Sequence, residues 1–110
     1  MGRLTTHILD TALGGPAPDV DIRLFSLGRT RELVAQATTN KDGRTPRPLL
    51  EDGVPAAATY ELEFDVGAYF RARGVELAEP AFLDTVVVRF SIRDDEDYHV
   101  PLLVSPARLR

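Results

Sequence analysis

Two histidines, His7 and His99, are the side chains of this sequence best suited to exchange protons near neutral pH, because an unperturbed imidazole titrates at about 6.5. Each can take a proton from water or return one to a leaving group. Arg44 follows Asp42-Gly43 in a turn-forming stretch, where a rigid backbone can aim a guanidinium at a carbonyl or an anionic oxygen. Arg47 offers the same group at a less constrained place. The remaining inventory excludes other chemistry. With no cysteine there is no disulfide scaffold, thiolate zinc site or cysteine nucleophile. The run Asp94-Asp95-Glu96-Asp97 reads as a solvated loop, and two histidines lack the other ligands that a zinc centre requires, so no metal is expected. A Gly-rich phosphate loop, a nucleophile elbow and a dinucleotide fingerprint are all missing from the sequence, so those enzyme classes drop out.

Whether these three residues meet depends on the elements that carry them. The clearest pattern has period two: Tyr60, Leu62, Phe64 and Val66 alternate with Thr59, Glu61, Glu63 and Asp65, which predicts a half-buried strand. Val20, Ile22 and Leu24 alternate with Asp21, Arg23 and Phe25, and Val86 to Ile92 repeats the pattern. Weaker strands are expected at Leu4 to Asp10, Leu33 to Thr39 and Tyr98 to Val104. Turn chemistry separates them at Gly14-Gly15-Pro16, Asn40-Lys41-Asp42-Gly43 and Asp94-Asp95. One short helix through Ala68, Tyr69, Phe70 and Ala72 is expected, with Asp65 or a neighbour able to cap its start and Gly74 suited to a left-handed stop. Six or seven short strands with one helix favour two packed antiparallel sheets, a β-sandwich, since long crossover connections for a parallel sheet are lacking.

Strand parity then orients the histidines. His7 shares a side with Thr5 and Leu9, while Leu4 and Ile8 form the better core stripe. His99 shares a side with Pro101 and Leu103, opposite Tyr98, Val100, Leu102 and Val104. Both imidazoles are therefore expected to point away from the core, and if the two strands are neighbours the rings stand on one outer surface. Taken alone, two outward histidines and a turn arginine describe ordinary surface residues. Leu9 and Leu103 beside them hint instead at a face covered by another subunit.

Length and charge bound the setting. The 110 residues are the size of one domain, taken here as 1–110, and 44% hydrophobic residues suffice for a core without cross-links. Thirteen basic against seventeen acidic residues give a net charge of −4, and the pI near 5.1 argues against nucleic-acid binding. No segment approaches the roughly 20 apolar residues of a membrane span, and Met1-Gly2-Arg3-Leu4 runs into polar residues without an export segment, so a cytoplasmic protein is expected.

The motifs Thr6-His7-Ile8-Leu9-Asp10 with Gly15-Pro16-Ala17, Thr39-Asn40-Lys41-Asp42-Gly43-Arg44, Tyr60-Glu61-Leu62 with Gly67-Ala68-Tyr69-Phe70, and Tyr98-His99-Val100-Pro101-Leu102-Leu103-Val104-Ser105-Pro106 occur in this order. In that combination the chain resembles the 5-hydroxyisourate hydrolase (transthyretin-related) family from about Leu4 to Pro106. The resemblance implies a two-sheet, prealbumin-like (transthyretin-like) all-β sandwich with one short helix. It also implies a homotetramer whose outer sheet faces enclose the active sites. The implied reaction is cofactor-free hydrolysis of 5-hydroxyisourate to 2-oxo-4-hydroxy-4-carboxy-5-ureidoimidazoline in urate breakdown. The family's catalytic set falls on His7, Arg44 and His99. On the types of these groups, a neutral histidine activates water and Arg44 stabilises the oxygen charge. His7 is assigned the base, and His99 orients substrate or protonates the leaving nitrogen, although the two roles can be exchanged.

The resemblance departs at the C-terminus, where family members end in Tyr-Arg-Gly-Ser and this chain reads Ser105-Pro106-Ala107-Arg108-Leu109-Arg110. An exposed edge on the strand around His99 is therefore expected. The departure sets up an alternative, a catalytically impaired protein that binds a small aromatic ligand. A histidine base makes one prediction independent of any structure: hydrolysis monitored by ultraviolet decay of the substrate falls as the medium is acidified. A rate unchanged well below about pH 6 contradicts a histidine base.

Overall fold

The computed structural model describes residues 2–51, 58–77, 79–80, 84–93 and 96–106. Among them, the alternation read from the sequence folds into two facing sheets. The first has the order β2-β1-β7, with β1 (Leu4–Asp10) between β2 (Gly15–Pro16) and β7 (Tyr98–Val104). The second has the order β4-β3-β5-β6, built from β3 (Asp21–Leu27), β4 (Arg31–Thr38), β5 (Ala58–Asp65) and β6 (Thr85–Ile92). Helix α1 (Val66–Ala72) follows β5 directly.

Each strand sends alternate residues inward, as a pleated backbone requires. Leu4 and Ile8 of the first sheet face Ile22, Leu24, Leu62 and Phe64 of the second in one buried cluster, which Tyr60, Phe70 and Ile92 extend. Three of the outward residues of β5, Glu61, Glu63 and Asp65, are acidic and pair across the sheet. Arg23 lies opposite Glu63 in the β3–β5 register and binds it at 3.1 Å, then reaches Asp65 with two bonds of 2.7 and 2.9 Å. Glu61 lies opposite Arg89 of β6, whose Nε donates to it at 3.0 Å, and also accepts from Arg31 of β4 at 3.2 Å. These partners, Arg89 first, hold the Glu61 carboxyl below its ordinary range, as Arg23 holds that of Asp65.

Two features differ from the sequence expectation. The β1–β7 pair is parallel, with Leu4 opposite Tyr98 and Asp10 opposite Val104. A parallel pair needs a long crossover, and here the entire second sheet and α1 intervene between the two strands. Asp65 stands at the N-cap of α1 as expected but makes no side-chain cap bond, because Arg23 holds its carboxylate. The other end agrees with expectation: Gly74 has φ +84° and its N–H donates to Arg71 O at 2.9 Å.

α1 is tied to the first sheet through Asp10, which is 2% exposed. The Tyr69 hydroxyl donates to Asp10 Oδ2 at 2.7 Å, and Arg73 donates to the Tyr69 oxygen at 3.0 Å. Asp10 Oδ1 accepts the backbone N–H groups of Ala12 and Leu13 at 3.0 and 3.2 Å, so the buried carboxylate is fully engaged. Burial, then the hydrogen bond to Asp10, pushes the Tyr69 phenol above its ordinary value.

The Arg23–Asp65 pair generates a stability prediction with a defined sign. The folded-state pKa of Asp65 is depressed below 3.8, so its contribution is full above that value and is lost as pH falls through the folded value. Because both side chains keep about a quarter of their surface in water, Asp65→Asn is expected to cost about 1 kcal/mol at neutral pH. Urea denaturation is expected to show a smaller difference from the parent at about pH 3.

Candidate active site

The outer surface of the first sheet is set by the parity of β1 and β7. Leu4, Thr6, Ile8 and Asp10 point inward and are buried, which leaves Thr5, His7 and Leu9 on the outside. In the parallel register Thr5 lies opposite His99, His7 opposite Pro101 and Leu9 opposite Leu103. Both histidines therefore share one face, His7 half-buried and His99 exposed. They are diagonal neighbours on adjacent strands; strands about 4.8 Å apart that rise about 3.3 Å per residue place such Cα atoms roughly 8 Å apart. The Thr5 hydroxyl sits 2.9 Å from His99 Nδ1 and holds that ring from the neighbouring strand. Thr6 performs a different task on the opposite side, donating to the Val100 carbonyl at 2.6 Å.

Arg44 reaches the same place through a built turn. Asn40 Oδ1 accepts the N–H of Asp42 at 2.9 Å and that of Arg44 at 3.2 Å, while the Asn40 N–H donates to Arg44 O at 2.7 Å. This Asx-type arrangement makes the loop its own template. Gly43 then docks it on β1: Ile8 N–H donates to Gly43 O at 2.9 Å, and Arg44 forms an isolated antiparallel bridge with His7. Gly43 has φ +74°, and a Cβ there would run into the Ile8 carbonyl oxygen, so glycine is required both by conformation and by close approach.

Thus the structure brings His7, Arg44 and His99 to one outer face. A cleft of about 120 Å³ lies at Arg44, lined by Thr5, Thr6, Arg44, Thr45, Pro46, Arg47 and Pro48 and by neither histidine, so Arg47 lies at the same cleft as Arg44. A larger hollow of about 350 Å³ lies on the second sheet, between β3 and β4. Its side chains include Arg23, committed to Glu63 and Asp65, and Asp21, which accepts from Thr38 at 2.7 Å; it contains no histidine. Size alone does not locate chemistry here. Among the described residues no group of three or more His, Asp or Glu side chains is arranged to hold a metal. Within the acidic run, Asp97 accepts the Arg3 N–H at 3.0 Å, and Asp94 and Asp95 lie outside the described residues, as do the terminal positions 107–110. Two residues of this site were not singled out from the sequence. Asn40 was legible only as turn chemistry, and Thr5 becomes informative only once β7 is known to lie beside β1.

Two sheets packed face to face, one short helix, and a histidine-bearing outer face define a transthyretin-like sandwich. The model of the HIUase/Transthyretin family matches residues 4–108, and the chain belongs to that family. It is 54% identical over 108 residues to a 5-hydroxyisourate hydrolase of Ralstonia nicotianae, covering 96% of this chain and 92% of the relative. Among solved structures it is similar to the 5-hydroxyisourate hydrolase of Klebsiella pneumoniae, with TM-score 0.81, 32% identity, and coverage of 98% of this chain and 93% of that one. It is also similar to transthyretin from Sparus aurata, with TM-score 0.83, 26% identity, and coverage of 94% and 89% respectively.

The double requirement for glycine at position 43 gives a test of how Arg44 is held. Gly43→Ala is expected to cost about 2 kcal/mol or more in chemical denaturation, because the left-handed backbone and the collision with β1 act together. Amide hydrogen exchange is expected to lose protection at Ile8 in this variant, since its N–H donates to Gly43 O.

Proposed function

We propose that this chain hydrolyses 5-hydroxyisourate to 2-oxo-4-hydroxy-4-carboxy-5-ureidoimidazoline, with His7, Arg44 and His99 as its catalytic residues. The observation that carries the assignment is the meeting of the three groups: Arg44 bridged to His7 on one side of β1, and His99 held against Thr5 on the other. The reaction adds water across a C–N bond of the six-membered ring. His7 takes a proton from the attacking water as the oxygen bonds to the ring carbonyl carbon, and then returns that proton to the departing ring nitrogen. The carbonyl oxygen becomes negatively charged in between, and the Arg44 guanidinium stabilises it. His99 orients the ring. A carboxylic acid and a ureido group result, and the atoms balance with water as the sole co-reactant.

The alternative, a transthyretin-like binding protein without turnover, is not favoured. The 54% identity to a protein named as the hydrolase exceeds the 26% identity to transthyretin, over similar shares of this chain. The reading includes a homotetramer in which the outer face of the first sheet is covered by another subunit. Leu103 on that face is 63% exposed in the single chain, and a third hollow of about 330 Å³ joins it to Leu9. The reading also keeps the protein in the cytoplasm. Among the described residues no helix is long and apolar enough to cross a membrane.

The test is the ultraviolet decay of freshly generated 5-hydroxyisourate with and without the protein. The chain is expected to accelerate decay, His7→Asn to reduce the rate by about 10²–10⁴-fold, and Arg44→Gln by about 10²–10³-fold. A spontaneous rate unaltered by the wild-type chain would falsify the assignment.

A further inference from the structure

We propose that Thr5 is a positioning residue of this site: its hydroxyl donates to His99 Nδ1 and fixes His99 as the neutral tautomer that carries its proton on Nε2. The role in turnover rests on the hydrolase reading above, whereas the tautomer does not. A neutral imidazole has one donor and one acceptor nitrogen, and the partner of one nitrogen decides what the other can offer. Here Thr5 Oγ1 and His99 Nδ1 are 2.9 Å apart. Among the described residues His99 is the one hydrogen-bond partner of the Thr5 hydroxyl. An imidazole lone pair accepts that proton, while the reverse arrangement leaves the hydroxyl proton without an acceptor among the described residues. Nε2 then bears the hydrogen and presents a donor to the outer face.

The placement is well determined by the fold. Thr5 and His99 are direct partners in a seven-residue parallel ladder, so their Cα atoms are fixed by backbone bonds on both sides of the pair. Threonine is β-branched and stiff at χ1, so its hydroxyl is aimed at little further entropic cost. The neighbouring Thr6 hydroxyl is committed to the Val100 carbonyl on the core side, so it cannot replace that of Thr5. Thr5 also lines the cleft that holds Arg44. A donor at Nε2 of His99 supplements the Arg44 guanidinium in holding a substrate oxygen, and this is the orienting role given to His99. The same nitrogen carrying a lone pair repels that oxygen.

The experiment pairs Thr5→Val, nearly isosteric but without the hydroxyl, with Thr5→Ser, which keeps it. Nitrogen-15 spectra of the histidine rings, assigned with His7→Asn, report which nitrogen is protonated and whether Nδ1 accepts a hydrogen bond. The wild type and Thr5→Ser are expected to show a hydrogen-bonded, unprotonated Nδ1 on His99, and Thr5→Val to lose that signature. With 5-hydroxyisourate as substrate, kcat of Thr5→Val is expected to fall roughly three- to tenfold with KM changed by less than about twofold, and Thr5→Ser to restore it. A proton on Nδ1 in the wild type overturns the proposal, as does a Thr5→Val variant with unchanged ring spectra and kcat. Absence of hydrolysis by the wild-type chain overturns the hydrolase reading alone, since the spectra still decide the hydrogen bond.

Discussion

Strand β1 has two backbone edges to satisfy, and the way each is satisfied builds the site. One edge is zipped to β7 over its whole length in parallel register. The other has no single partner strand and is closed in three pieces. Leu49 and Leu50 bond to Leu4, Gly43 and Arg44 meet His7 and Ile8, and residues 15–17 pair with Ile8 to Asp10. An unpaired buried backbone group costs free energy comparable to a lost hydrogen bond, so a strand this deep cannot leave an edge open. Closing it with a tight turn is what carries Arg44 to His7. Zipping the other edge to β7 is what sets His99 against Thr5. The meeting of the proposed catalytic residues is thus a by-product of backbone accounting on one strand, and a register slip of one residue on β1 would turn His7 into the core and Ile8 out of it.

This dependence explains which parts were legible from sequence. Period-two alternation says which face a residue occupies, and it located β1 and β7 to the residue and turned both histidines outward. It also found α1 and its stop at Gly74, because both are local signals. Alternation says nothing about which strand lies next to which, or in which direction. The parallel β1–β7 pair, and with it the Thr5–His99 contact, comes from residues 94 positions apart and is decided by how the two sheets close on each other. Asp65 shows the same limit. Its position before a helix announced a cap, but Arg23, four strand residues from the end of β3, offered two charged donors and a stronger bond than a backbone N–H could.

The carboxylates held by hydrogen bonds and ion pairs serve stability, and the proposed chemistry draws on none of them. Asp10, at the end of the strand that bears His7, is buried and spends its oxygens on Ala12, Leu13 and Tyr69, with Arg73 3.6 Å away. It anchors α1 and the turn after β1, and its remaining side-chain capacity is consumed by structure. Glu61, Glu63 and Asp65 are likewise held by Arg23, Arg31 and Arg89 on the second sheet. That leaves the neighbourhood of His7 and Arg44 to hydroxyls, apolar side chains and the guanidinium groups of Arg44 and Arg47.

The two outer faces of the sandwich are consequently unlike. The second sheet wears a lattice of ion pairs, which is well hydrated and already satisfied within the chain, and Arg31 also covers the ring of Phe25 at 3.6 Å. Burying such a face against a ligand or a subunit would strip water from several charges for little return. The face of the first sheet presents Thr5, His7, Leu9, His99, Pro101 and Leu103 beside Arg44, so covering it desolvates fewer formal charges than covering the second sheet. The proposed reaction, which develops charge on one oxygen, gains from being enclosed by such a surface, because the stabilising role proposed for the Arg44 guanidinium is stronger without competing water. The partition of charge between the two sheets therefore favours covering the histidine-bearing face. It also gives Leu9 and Leu103 a purpose beside the imidazoles, as the apolar ground on which a closed site can form.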